Sequence, residues 1–201
     1  MIRRRSKKTT ATIEPKKTKK SQKTHEADGL VFKSAPILKF YQELKALQES
    51  GLIKGFVVPT IKDMEKNKFR AVKCTIDGHK FDSMLESKYY LHLLREQQAG
   101  RVKSFDMQVK FILQDKFKKN GKSIREIAYV ADFDITYADG KRLVIDTKGR
   151  ETADFKIKHK MFDYRYPELE LICVQYDTKS DTWYDTHEEK KILKGVKRGA
   201  A

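Results

Sequence analysis

The fold-deciding stretch runs Tyr129-Val130-Ala131-Asp132-Phe133, turns at Asp139-Gly140, and returns as Val144-Ile145-Asp146-Thr147-Lys148-Gly149. Two apolar runs around an Asp-Gly pair predict an antiparallel hairpin, with strands over about Ile124–Thr136 and Arg142–Lys148. Residues two apart on a strand face the same way, so Asp146 and Lys148 project to one side and Ile145 and Thr147 to the other. A carboxylate and an ammonium at the end of an apolar strand are costly to bury unless they pair or bind something. Asp132 precedes the turn by about as many residues as Asp146 follows it, which sets the two nearly opposite each other. Carboxylates that close repel, and a hard oxygen-seeking cation, Mg²⁺ or Mn²⁺, reconciles them.

Upstream of this hairpin, Met107, Val109, Phe111 and Leu113 alternate with Gln108, Lys110, Ile112 and Gln114, the period of a half-buried strand. In that pattern Gln108 points away from Met107 and Val109. The Asn120-Gly121 pair predicts a further hairpin, with the polar stretch 115–123 as a loop longer than two residues. Further back, Asp82 or Ser83 can cap a helix carrying Leu85, Tyr89, Leu91, Leu93 and Leu94 up to Gly100. Glu86 lies in its first turns, beside the core-facing stripe. A short strand over Ala71–Ile76, ended by Asp77-Gly78, precedes it. Ile37, Leu38, Tyr41, Leu44 and Leu47 mark one face of a helix over Pro36–Ser50, and residues 52–70 read as a strand fragment and loop.

Downstream, a helix is expected over Ala153–Tyr166, stopped by Pro167, and then a strand buried on both faces over Leu169–Gln175. A crossover helix lets that strand lie parallel beside the Asp146 strand. The order helix, three antiparallel strands, helix, strand predicts an α/β protein: a mixed sheet flanked by helices. The expected division is a basic disordered arm over 1–30, a helix-and-loop extension over 31–70, a core domain over 71–180 and a charged tail over 181–201, the tail forming a short fraying helix from about Thr186.

Charge narrows the partners. The formal net charge is +16, and the first 25 residues hold ten cations, Arg3, Arg4 and Arg5 among them, against Glu14 alone. That segment has too few large apolar residues to offset the entropy of ordering, so it reads as a solvated arm, either a phosphate contact or a solubility tail. A polyanionic partner follows, and nucleic acid fits better than a membrane, because no run approaches the roughly 20 apolar residues of a spanning helix. The arginines at the start are not followed by an apolar run, so no secretory signal is expected. Cys74 and Cys173 sit in apolar stretches outside any Cys/His cluster and read as buried thiols rather than zinc ligands. A calcium loop starting at Asp132 fails, since its sixth position is Tyr137 and its twelfth Leu143. Neither GxxxxGK[ST] nor GxGxxG occurs, which argues against nucleotide-triphosphate and dinucleotide enzymes.

The ordered set of Phe81-Asp82-Ser83 through Glu86, Gln108, Tyr129 to Phe133, Asp146-Thr147-Lys148-Gly149 and Phe155-Lys156-Ile157-Lys158 resembles the PD-(D/E)XK, or restriction-endonuclease-like, nuclease superfamily. Within it, the chain is most similar to a phage and prophage family known as a domain of unknown function, 1064. The resemblance covers roughly residues 70–177, and Ala131 stands where the superfamily's name has proline. It implies an αβββαβ core and a Mg²⁺- or Mn²⁺-dependent endonuclease hydrolysing DNA phosphodiester bonds. Branched or junction DNA in phage recombination or replication is one substrate class it suggests. It also implies roles. Asp132, Asp146 and the Thr147 carbonyl would hold metal, and Glu86 would hold it directly or through water. Lys148 would orient the attacking water and offset charge on the phosphate. Gln108 and Lys158, with Arg3, Arg4 and Arg5 of the arm, are the expected DNA contacts. A homodimer and a location in the cytoplasm of a bacterial host follow by the same analogy. The competing expectation is a basic nucleic-acid-binding protein that keeps the fold without cutting.

Overall fold

Three of the short hairpins are built on two-residue turns in which both residues have positive φ. Asp28-Gly29, Asp77-Gly78 and Asn120-Gly121 have φ of 52° and 73°, 52° and 83°, and 50° and 75°. That geometry matches the right-handed twist of the strands it joins and favours Asn or Asp followed by Gly. The computed structural model describes residues 25–61, 72–147, 151–178, 180 and 182–186. The turns join β1 (His25–Ala27) to β2 (Leu30–Phe32), β4 (Cys74–Ile76) to β5 (His79–Phe81), and β7 (Phe117–Lys119) to β8 (Lys122–Ile124). The Asn120-Gly121 connection is therefore tight, shorter than the long loop its polar flanks suggested. The β1–β2 hairpin also shortens the expected arm, since residues 25–30 are strand and turn; residues 1–24, Arg3, Arg4 and Arg5 included, lie outside the described residues.

The main sheet has five strands in the order β12-β11-β10-β9-β6. They are β6 (Val102–Gln114), β9 (Ile127–Tyr137), β10 (Arg142–Thr147), β11 (Glu170–Asp177) and β12 (Thr182–Asp185). The pair β10–β11 is parallel, as the crossover through the intervening helix requires, and the other pairs are antiparallel. Strand β12 falls within the segment expected to be a charged tail; it pairs with the edge of β11, and Trp183 packs against the core. Beyond Thr186 the expected short helix lies outside the described residues. The fold is thus mixed α/β, with sheets flanked by three helices among the described residues. None of these helices is long and apolar enough to cross a membrane.

Helices α1 (Ala35–Glu49) and α2 (Met84–Gln98) share one core with one face of the sheet. Ile37, Phe40 and Leu44 of α1 join Tyr89, Leu91 and Leu93 of α2, with Phe133, Ile135 and Ile145 from the sheet. The extension before residue 71 is therefore not separable from the domain: its helix, Ile53 and Phe56 of β3 (Phe56–Val57) belong to that core. Helix α3 (Ala153–Arg165) covers the other face, where Phe155 and Phe162 meet Phe111, Tyr129, Val144, Leu171 and Cys173. Thr152 caps α3, its Oγ1 accepting from the Phe155 N–H at 3.2 Å.

Candidate active site

Strict alternation fails at one place, and the site is built there. Along β6, Phe105 and Met107 pack on the α2 side while Val109, Phe111 and Leu113 pack on the α3 side. Along β9, Phe133 and Ile135 face α2 while Ala131 and Tyr129 face α3. All are odd-numbered, so an uninterrupted strand would hold each set on one face. The register does not slip, because Met107 pairs with Phe133 and Val109 with Ala131. The inversion falls on the residues between those pairs, Gln108 and Asp132, and Gln108 takes a left-handed φ of 54°. Met107 and Val109, expected on a common face, point to opposite ones for this reason.

A fork opens beside the inversion. Strands β9 and β10 pair from Thr136–Arg142 to Phe133–Ile145, where their ladder stops. Beyond it β10 stays with β11, through Asp146–Cys173 and Thr147–Val174, while β9 stays with β6. One more step of the β9–β10 register sets Asp146 against Asp132. The Asp132 carboxylate enters the fork: its Oδ2 accepts from the Thr147 backbone N–H and from the Thr147 hydroxyl, both at 2.8 Å. A side-chain oxygen thus replaces the backbone acceptor that the diverging strand no longer offers.

Glu86 reaches the fork from the α2 side. Ser83 caps α2, its Oγ accepting from the Glu86 N–H at 3.1 Å, and Glu86 Oε2 accepts from the Asp82 N–H at 3.1 Å. Ser83 thus caps the helix start, and Glu86 reaches one residue further back than the cap, to Asp82. The other oxygen, Oε1, accepts from Gln108 Nε2 at 2.8 Å. Glu86 is buried at 7% exposure. Burial, and then the charge of Asp132, push its carboxyl up to about 7, against the opposing pull of the Asp82 N–H and the Gln108 amide.

Asp146 approaches from the α3 side and is 2% exposed. It faces Tyr129, whose phenol is held above its ordinary range by burial first, and next by the charge of Asp146 and a hydrogen-bonding interaction with it; Cys173 and Asp132 push the same way. The inversion therefore lets a glutamate on one face of the sheet and an aspartate on the other border the same fork, with Asp132 between them. Tyr129 and the Thr147 hydroxyl are the parts that sequence reasoning missed; a lone tyrosine within an apolar strand was the available signal for the first. Among the described residues, no three His, Cys, Asp or Glu side chains gather closely enough to form a metal cluster by themselves. Gln108, expected to contact DNA, donates from its amide to Glu86 at the fork. Lys158 lies half-buried on α3, 3.2 Å from Asp154 one turn back. Lys148 lies outside the described residues.

No curated protein and no solved structure matches the chain. One family does match, over residues 66–182, which is more than half of the chain and spans Glu86, Asp132 and Asp146. The chain belongs to the family described as Protein of unknown function (DUF1064).

Proposed function

We propose that this protein is a divalent-metal-dependent endonuclease that hydrolyses DNA phosphodiester bonds at the β9–β10 fork, on a restriction-endonuclease-like core. The observation that carries the reading is that the buried Glu86 feels the charge of Asp132, which the β9–β10 register sets one step past the ladder's end against the buried Asp146. Glu86 is raised to about 7 by burial and by Asp132. Donors that are all oxygen, under mutual repulsion, fit Mg²⁺ or Mn²⁺. Asp132, Asp146 and the Thr147 carbonyl would hold the ion, with Glu86 beside them. A bound dication supplies Lewis acidity toward a phosphoryl oxygen and offsets the charge gained in the displacement. The chain's own part is positioning. The Thr147 hydrogen bonds fix the Asp132 carboxylate, Gln108 fixes that of Glu86, and Tyr129 flanks Asp146. Lys148, two residues past Asp146, brings positive charge to the phosphate. The net charge of +16 suits the polyanionic substrate.

A second reading, a DNA-binding protein that keeps the fold without cutting, is favoured by the absence of a ready three-residue metal cluster among the described residues. A cleavage panel of linear duplex, single strand, flap and four-way junction in Mg²⁺ and in Mn²⁺ separates the two. The nuclease reading expects cutting of at least one substrate, and a loss of about 10²–10³-fold or more in Asp146→Asn and Lys148→Ala. Wild-type protein that binds these DNAs and cuts none in either metal selects the second reading.

A further inference from the structure

Strands β6 and β9 run on past the fork into a ribbon that takes no part in either core. Residues 115–126 form it, with β7 and β8 as a separate two-stranded sheet whose residues are all exposed. Its cations are Lys116, Lys118, Lys119, Lys122 and Arg125, and its two acids are Asp115 and Glu126. Both acids are spent at the base: Asp115 accepts from Arg165 of α3 at 3.0 Å, and Glu126 pairs with Lys110 of β6. The base is further pinned where β6 is irregular. There the Tyr166 hydroxyl accepts from the Ile112 N–H and donates to the Ile112 carbonyl, both at 3.1 Å. The ribbon is therefore held rigidly to the nuclease-like body while its outer part carries positive charge alone.

One face of the ribbon is built against its own stability in water. Phe117 and Ile124 sit directly opposite each other, and next to them toward the tip Lys119 sits directly opposite Lys122. Alternation puts all four on the same face. Phe117 is 44% exposed and Ile124 39%. Like charges set opposite across a ladder repel, and an exposed apolar pair gains little without a cover. A polyanion with apolar surfaces between its charges relieves both.

We propose that the 115–126 ribbon is a DNA-binding arm that enters a groove of the duplex, its lysines on the flanking phosphates and the Phe117–Ile124 pair against the sugars or base edges. A two-stranded ribbon has the width a groove admits, and apolar side chains in such elements can wedge against base steps. Phe117 lies nine positions after Gln108 along the chain. At about 3.3 Å per residue, the ribbon contacts the duplex roughly 30 Å from the fork, about one helical turn from the scissile phosphate. The choice of DNA rests on the nuclease reading, but the ribbon's role is separable from cutting.

The test is fluorescence anisotropy of the full chain on a labelled 30-bp duplex in EDTA, across a salt series. It compares wild type with Lys118→Glu/Lys119→Glu/Lys122→Glu and with Phe117→Ser/Ile124→Ser. Both variants change residues outside the two cores, and an unaltered melting temperature checks that the body is folded. The charge variant is expected to bind at least tenfold more weakly with a shallower salt slope. The apolar variant is expected to bind more weakly with the slope retained. Wild-type affinity in both variants overturns the ribbon proposal and leaves the nuclease reading intact. A wild-type chain that binds no duplex overturns the ribbon proposal and leaves the nuclease reading to the cleavage panel. Binding to phosphatidylserine vesicles that the charge variant loses, with duplex binding unchanged, assigns the ribbon to a membrane and also overturns the proposal.

Discussion

Glu86 carries three duties at once: it accepts from the Asp82 N–H just before the α2 cap, accepts from Gln108 and borders Asp132. Its folded carboxyl titrates near 7, above the ordinary carboxylate range, so the folded state binds more protons than the unfolded one between those limits. The stability it contributes is fully present below the unfolded value and is lost as pH rises through about 7. Glu86→Gln removes this dependence. In metal-free buffer the melting temperature of the variant, relative to wild type, should climb as pH is raised from 4.5 to 8, whatever constant offset the altered hydrogen bonds leave. A flat difference across that range would mean that the fork does not burden Glu86 in solution. At this scale the acidic residues were legible in the sequence, because Asp-x-Lys on a strand and Glu in a helix's first turn are local patterns. The partners were less so. Nothing local announces that the Gln108 amide will meet Glu86, 22 positions earlier.

The inversion at Gln108 and Asp132 is the feature of the strands that makes the site possible. A non-glycine residue with φ of 54° costs energy, and the cost rises with a branched side chain. Gln108→Gly and Gln108→Val both lose the Glu86 hydrogen bond, so their difference isolates the backbone. The glycine variant should exceed the valine variant in unfolding free energy by about 1–2 kcal/mol, measured by urea midpoints. Equal midpoints would argue that the strand alternates normally. On the other side of the sheet, Phe162 is fully buried among Phe111, Tyr129 and Tyr166, and Phe162→Ala should cost about 3–5 kcal/mol. A loss under 1 kcal/mol there would show that α3 does not cover that face. Helices and long strands were legible because their apolar residues repeat. The inversion was not, since a period of two looks the same on either side of the residue that breaks it. Strand β1 was missed because His25-Glu26-Ala27 has no apolar alternation. Strand β12 was missed because its place is set by the free edge of β11, a tertiary fact.

For the whole molecule, the arrangement is a sheet clamped between α1 and α2 on one face and α3 on the other, with two features outside the cores: the acidic fork and the basic ribbon. The mixed sheet and its flanking helices could be read from element order alone, and the parallel β11 followed from its continuous apolar run. The helix and loop before the expected boundary near residue 70 share a core with the domain beyond it, since Ile37, Phe40 and Leu44 of α1 cluster with Phe32, Ile53, α2 and the sheet. The proposed activity rests on the fork holding a hard cation. The measurement that tests this most directly is a calorimetric titration of Mn²⁺ into the full chain at pH 7.5, compared with Asp132→Asn and Asp146→Asn. Saturable binding by wild type, weakened at least tenfold in each variant, is the result the fork predicts. No binding by wild type, or equal binding by all three proteins, would contradict it.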